Sequence, residues 1–387
     1  MSKQRKIFIL YARFGEGHWQ AASALKTSFA NQGNTEVRLI DLLAESHPLI
    51  NGVTRYVYNK SYNVLPQVYG WVYEATKGMK SNSMFASWLH SFGAETLQKL
   101  VEEERPDAIV HTFPILVLPF VTQKTGRKIP MYNVVTDFDL HFRWVHPDVD
   151  KYYVATEDIG KQLCDMGVDS SRVAATGIPI RPTFMSGKTG ASSTPFLYDL
   201  TPGKPIVLIM AAANTPWTET AELSRKLTER CNVHVVIVCG RNRALQIPLS
   251  NELLANKEIT VLGYVDHVDE LMRISTCIIT KPGGLTLSEA IFAELPIFLY
   301  RPVPGQERNN ARYLASKGAA VICQTVEQIW TSVSELLEKP GRRTEMRKAL
   351  KALGKKGASD SIALDISRQL NIMEEASLAY GSILIEG

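Results

Sequence analysis

Cysteine is scarce: the 387-residue chain has five, at positions 164, 231, 239, 277 and 323. The number is odd and none is paired as C-x-x-C, so neither a disulfide framework nor a zinc site is indicated, and a reducing, cytoplasmic setting is expected. Nowhere do about 18 apolar residues run together, as a membrane-crossing helix requires. The opening Met1-Ser2-Lys3-Gln4-Arg5-Lys6 passes straight into a strand-like segment, which predicts no signal peptide. Strong charge of one sign is missing as well. Forty-three basic less 39 acidic residues leave +4, an excess that favours an anionic partner but lies far below the footprint of a nucleic-acid binder. There is no internal repeat. What remains, 45% hydrophobic and 21% charged residues, is the composition of a chain with a core to bury.

At roughly 100–200 residues per domain, this length predicts two domains. Short β-branched runs alternate with helix-length segments in both halves, the pattern of parallel sheets covered by helices, so the fold class is α/β. Strands are predicted over 7–12, 37–41, 108–112, 131–135, 152–155 and 173–176, then over 206–210, 233–239, 259–262, 277–280, 297–299 and 320–323. Helices are predicted over 18–31, 95–104, 285–293, 309–317, 326–337 and 361–379. The small, polar stretch 185–195 reads as a linker or surface loop. The expected organisation is therefore a first Rossmann-like domain over 1–184, a second over 196–360, and a final helix over 361–387 returning to the first. Two such lobes would face an interlobe cleft by the carboxyl ends of their strands, where open α/β sheets bind ligands.

The sharpest motif is Lys281-Pro282-Gly283-Gly284-Leu285-Thr286-Leu287-Ser288-Glu289-Ala290, placed after a strand and opening a helix. Glycines there let the backbone approach an anion, and a helix start presents unpaired N–H groups with partial positive charge. Taken alone it is equally a strand-to-helix turn with a capping threonine. After the next strand comes Pro302-Val303-Pro304-Gly305-Gln306-Glu307-Arg308-Asn309-Asn310, whose amides and carboxylate suit sugar hydroxyls or simply cap a helix. Together these segments resemble the donor half of nucleotide-sugar glycosyltransferases of the GT-B fold. Further blocks extend the resemblance: Gly15-Glu16-Gly17-His18, Thr136-Asp137-Phe138-Asp139, Thr176-Gly177-Ile178-Pro179, Cys239-Gly240-Arg241-Asn242 and Leu262-Gly263-Tyr264-Val265. The chain is similar to the bacterial diacylglycerol glucosyltransferases and plant monogalactosyldiacylglycerol synthases of glycosyltransferase family 28, most of all to the processive diacylglycerol β-glucosyltransferases.

The resemblance implies an inverting enzyme that moves glucose from UDP-glucose to diacylglycerol and then to glucosyldiacylglycerol. His18 or Asp137 would accept the acceptor's proton. Donor contacts would come from Gly17, Gly240, Arg241, Tyr264, Val265, Gly283, Gly284, Leu285, Thr286, Glu289, Gln306, Glu307 and Asn310. No cofactor is required, and no metal is expected: Asp137-Phe138-Asp139 looks like a D-x-D metal motif, but this fold stabilises the leaving diphosphate with helix N–H groups and basic side chains. One departure stands out. Where the family has a glycine-containing loop after the first strand of the second lobe, this chain reads Met210-Ala211-Ala212-Ala213-Asn214-Thr215-Pro216-Trp217, which puts phosphate contact by that loop in doubt.

Between His47 and Phe92 aromatic and basic residues interleave, and Glu74 is the only acid. Rings and lysines at interfacial depth suit an anionic bilayer, so Tyr56, Tyr69, Trp71 and Trp88 are assigned to the acceptor and membrane face, at the inner surface of the cell membrane; Phe113, His141 and Trp144, outside that stretch, are assigned to the same face. The same aromatics also read as ordinary core. No nucleic acid partner is expected. Alternatives are transfer of galactose or N-acetylglucosamine to a lipid, a UDP-sugar epimerase, and a catalytically weak UDP-sugar sensor. A nicotinamide-dependent enzyme is disfavoured because Gly15-x-Gly17 lacks its third glycine.

Overall fold

A computed structural model describes residues 4–12, 16–46, 93–185, 200–211 and 215–383. Among these, one compact unit takes the chain up to Pro182 and again from Lys355, and a second takes Thr183–Gly354. Both divisions fall slightly earlier than the boundaries at 184 and 360 read from the sequence.

The first unit runs β1 (Arg5–Tyr11), α1 (Glu16–Gln32), β2 (Thr35–Asp41), α2 (Leu42–Ser46), α3 (Ala94–Glu104), β3 (Ala108–His111), α4 (Leu118–Thr125), β4 (Met131–Val134), β5 (Lys151–Val154), α5 (Glu157–Asp165) and β6 (Val173–Ala175). All its strands are parallel, in the order β2-β1-β3-β4-β5-β6. Alternate residues of β1 feed two cores. Phe8 and Leu10 pack with Leu97, Val121 and Ile159 on one face, while Ile7 and Ile9 pack with Ala22, Leu25 and Phe29 on the other. A sheet covered on both faces has no polar side, which is why these strands read as continuous apolar runs. The order reverses between β1 and β3, and such a switch point is where an open α/β sheet receives its ligand.

The second unit runs β7 (Ile206–Met210), α6 (Trp217–Cys231), β8 (His234–Val238), α7 (Arg243–Leu253), β9 (Ile259–Leu262), α8 (Val268–Ile274), β10 (Cys277–Thr280), α9 (Gly284–Phe292), β11 (Ile297–Tyr300), α10 (Gln306–Ser316), β12 (Ala320–Cys323), α11 (Val326–Glu338) and α12 (Pro340–Leu353). Its parallel order β12-β11-β10-β7-β8-β9 is the Rossmann arrangement, with the switch point between β7 and β10. The helices α6, α7 and α8 were not separately assigned from the sequence. The basic run 339–356, whose sequence reads as a solvated helix face, contains α12, which buries only Met346 and Leu350.

The final helix, α13 (Ala358–Ile383), completes the first unit. It sets Ile362, Ala363, Ile366 and Leu370 into the core beside Ile7 and Phe29. Asp365 takes the Tyr153 hydroxyl at 2.7 Å and the Lys151 ammonium at 2.8 Å, while Arg5 reaches Glu374 at 2.9 Å. No described helix is long and apolar enough to cross a membrane.

Candidate functional site

In the first unit the site forms at the switch point. His18 lies in the first turn of α1, the helix that follows β1, and Thr112 comes immediately after β3, a strand paired with β1. The Thr112 carbonyl lies 2.7 Å from His18 Nδ1, and Thr136 Oγ1, just beyond β4, lies 3.0 Å from the same nitrogen. A carbonyl can only accept, so Nδ1 carries the proton and Nε2 keeps its lone pair. The Thr112 hydroxyl bonds the carbonyls of Leu10 and His18, each at 3.2 Å, which ties the end of β1 to the start of α1. Phe113 stands edge-on to the imidazole, 4.9 Å between centroids. The His18 side chain is half-buried, and that burial pushes its pKa down to about 4, partly opposed by the Thr112 carbonyl. At neutral pH His18 is therefore an uncharged base, held by one nitrogen and available at the other.

Asp137, next to Thr136, is 6% exposed, and Asp139 is 9%. Gly17 occupies the first turn of α1, immediately before the histidine. Two sequence assignments fail here. Trp144, 1% exposed, belongs to the core beside Tyr152 and Leu163, and His141 is buried, accepting the Arg143 N–H at 3.3 Å to start a short turn. Neither presents a surface to a membrane. Phe113 packs on the candidate base instead. Tyr56, Tyr69, Trp71 and Trp88 lie outside the described residues. Neither Thr112 nor Thr136 was singled out as a partner of His18 in the sequence, where Thr112 stood only as the last residue of a predicted strand and Thr136 as the first of the Thr136-Asp137-Phe138-Asp139 block.

In the second unit the carboxyl edge of the sheet gathers the other candidates. Gly283 caps α9 with extended backbone and no side-chain cap, leaving the first N–H groups of the helix, from Gly284, Leu285 and Thr286, without intrahelical acceptors. Gly283 is exposed and Thr286 half-buried. Glu289 is 1% exposed, and Ser288 spends its hydroxyl on the Gly284 carbonyl at 2.8 Å, so it does not serve as an outward donor. Gly305 adopts φ 94° at the start of α10, a conformation for glycine alone. It places Gln306 and Glu307 in the first helical turn, where Glu307 accepts the Val303 N–H at 2.9 Å. Asn310 is corrected: wholly buried, it donates to the Pro282 carbonyl at 3.0 Å, and so ties the two glycine turns together rather than facing a ligand. Past β8, Gly240 turns at φ 57° and the Arg241 guanidinium lies 4.4 Å over the Tyr264 ring. Tyr264 is 42% exposed and Val265 follows it, an aromatic shelf at the edge of the sheet.

Two family profiles match: Monogalactosyldiacylglycerol (MGDG) synthase over residues 18–180 and the Glycosyltransferase family 28 C-terminal domain over residues 217–362. The processive diacylglycerol beta-glucosyltransferases of Bacillus cereus (strain AH187) and Bacillus thuringiensis (strain Al Hakam) are each 39% identical to this chain over 363 residues, covering 94% of it and 93% of their own length. This chain belongs to the processive diacylglycerol β-glucosyltransferase family. Solved structures agree on the GT-B fold of such glycosyltransferases. The Staphylococcus aureus MnaA–UDP co-structure matches with a TM-score of 0.64 at 16% identity, over 95% of this chain and 97% of that one. Acinetobacter baumannii MurG matches with a TM-score of 0.59 at 16% identity, over 94% and 99%. This glycosyltransferase carries its candidate base and its glycine turns at the two switch points where the fold places ligands.

Proposed function

We propose that this chain transfers glucose from UDP-glucose to diacylglycerol, and again to the glucosyldiacylglycerol it has made, inverting the anomeric carbon each time. The relatives' names support the acceptor and the repeated transfer. The observation that carries the chemistry is His18, neutral, pinned at Nδ1 and bare at Nε2. As the acceptor oxygen bonds to the anomeric carbon, Nε2 takes its proton, and the bond from that carbon to the diphosphate oxygen breaks with its electron pair going to UDP. The charge that develops on UDP falls to the N–H groups of Gly284, Leu285 and Thr286 and to Arg241, which need no metal ion to do it. Asp137 then supports the site rather than acting as base. Diacylglycerol lies within a bilayer, so the enzyme works from the surface of an anionic membrane on its cytoplasmic side.

The test is to incubate the purified protein with anionic vesicles containing diacylglycerol and, separately, UDP-glucose, UDP-galactose or UDP-N-acetylglucosamine, with and without a chelator. A ladder of β-glucosyl lipids from UDP-glucose alone, unchanged by the chelator, is expected. Sugar transferred only from another donor, or none at all despite UDP-glucose binding, would contradict the proposal.

A further inference from the structure

The switch point of the second sheet holds a charged group that the sequence reading did not assign. Lys281 follows the last residue of β10, before the Pro282-Gly283-Gly284 turn, and lines a small cavity with Met210 at the end of β7, Ala211 after it, Thr215 and Glu219 just before and within the start of α6, and Tyr300. The cavity measures about 20 Å³, room for one water-sized group such as a single phosphoryl oxygen. The Lys281 ammonium donates to the Arg301 carbonyl, and among the described residues it has no carboxylate ion partner. The two acids nearby are committed elsewhere. Glu219 accepts the Tyr300 hydroxyl and pairs with the Arg301 guanidinium at 2.5 Å, while Glu307 accepts the Val303 N–H.

Arg301 is itself held in the left-handed region at φ 43°, a strained setting for a long side chain that persists only when its surroundings over-determine it. They do: its N–H bonds Cys323 O at 3.0 Å, its Nε bonds Gln324 O at 2.9 Å, and its guanidinium stacks 5.2 Å from the Tyr300 ring centre. The result is a rigid carbonyl that parks Lys281 two residues before the uncapped start of α9. Burial lowers the Lys281 pKa, with the Arg301 charge acting in the same direction and Glu307 and Glu219 only partly opposing it, as expected for a cation partly withdrawn from water with no carboxylate counter-charge in direct contact. An anion at the mouth of the cavity would supply that charge.

We propose that Lys281 is a second side-chain cation, in addition to Arg241, that binds the diphosphate of the donor and neutralises it as it leaves, and that Glu219, Tyr300 and Arg301 are positioning residues that hold it ready. The inference rests on the donor reading given above. Lys281 forms no bond and gives up no proton; the electron pair of the breaking carbon–oxygen bond stays on the phosphate oxygen, and the ammonium turns from the Arg301 carbonyl to meet it.

The experiment compares the binding of UDP and of uridine, which lacks the diphosphate, by calorimetry to the wild-type protein, Lys281→Met and Lys281→Arg, with thermal melts confirming that each variant is folded. Lys281→Met is expected to weaken UDP about tenfold to a hundredfold, the worth of a charge-assisted hydrogen bond, with uridine affinity unchanged and Lys281→Arg recovering most of the loss. Wild-type UDP affinity in Lys281→Met would overturn the assignment, and so would an equal loss of UDP and uridine, which would mark a structural role. A wild-type protein that binds neither compound would remove the donor reading itself, and this inference with it.

Discussion

His18 is charged in the unfolded chain below its ordinary value of 6.5 but stays neutral in the folded protein until about pH 4. Between those values the unfolded state binds a proton that the folded state refuses, so stability falls as pH drops through this window. The shift corresponds to about 3 kcal/mol at its acid end. Replacing His18 by Gln keeps a group able to donate to the Thr112 carbonyl and removes the titration. Acid unfolding followed by circular dichroism should then show a flatter dependence between pH 6.5 and 4 than in the wild type; parallel curves would mean that the imidazole is not held neutral. The histidine was legible in the sequence because it follows a G-x-G turn after a strand. Its two partners were not, since Thr112 and Thr136 lie 94 and 118 positions away and only the sheet order brings them to the same nitrogen.

Among the elements, α9 combines an open start with a braced one. A methyl added at Gly283 would meet no atom within 4 Å, and its φ of −76° suits any residue. Gly283→Ala should therefore leave the melting temperature within about 2 °C of wild type while raising the KM for UDP-glucose severalfold, because only a ligand would feel the new Cβ. An unchanged KM would show that no donor approaches this turn. The strand-turn-helix pattern at 277–292 was clear in the sequence because β-branched residues give way to two glycines and then to an apolar helix. The helices α6 and α7 were not, because charged and polar side chains dilute the apolar repeat of α6 and Pro248 interrupts the helical pattern of α7. Asn310 misled for a related reason: an amide in a loop-like motif looks like a ligand until its burial beneath Pro282 is seen.

At the scale of the whole molecule, the first unit is completed by chain that returns after the second. Gly177, at φ 90°, comes so close to the returning segment that a Cβ there would lie 2.7 Å from Lys355 Cβ. The Thr176-Gly177-Ile178-Pro179 block, whose reason the sequence did not disclose, is in part a landing place for that segment. Gly177→Ala should cost about 2–4 kcal/mol, from the left-handed backbone and overpacking together, read as a lower midpoint in denaturant unfolding; wild-type stability would mean that the close approach is not maintained. The α/β class and nearly all strands were legible because buried parallel strands are short apolar runs whatever their order, whereas the order itself depends on which helix covers which face. At the centre of the proposed chemistry, a pinned neutral histidine accepts the proton in sugar transfer to a lipid. The most direct measurement is the rate of glucosyl-lipid formation from UDP-glucose on diacylglycerol vesicles by wild type and by folded His18→Gln protein. The account predicts a loss of about 10²–10⁴-fold in kcat, the worth of a general base; a variant turning over at the wild-type rate would contradict it.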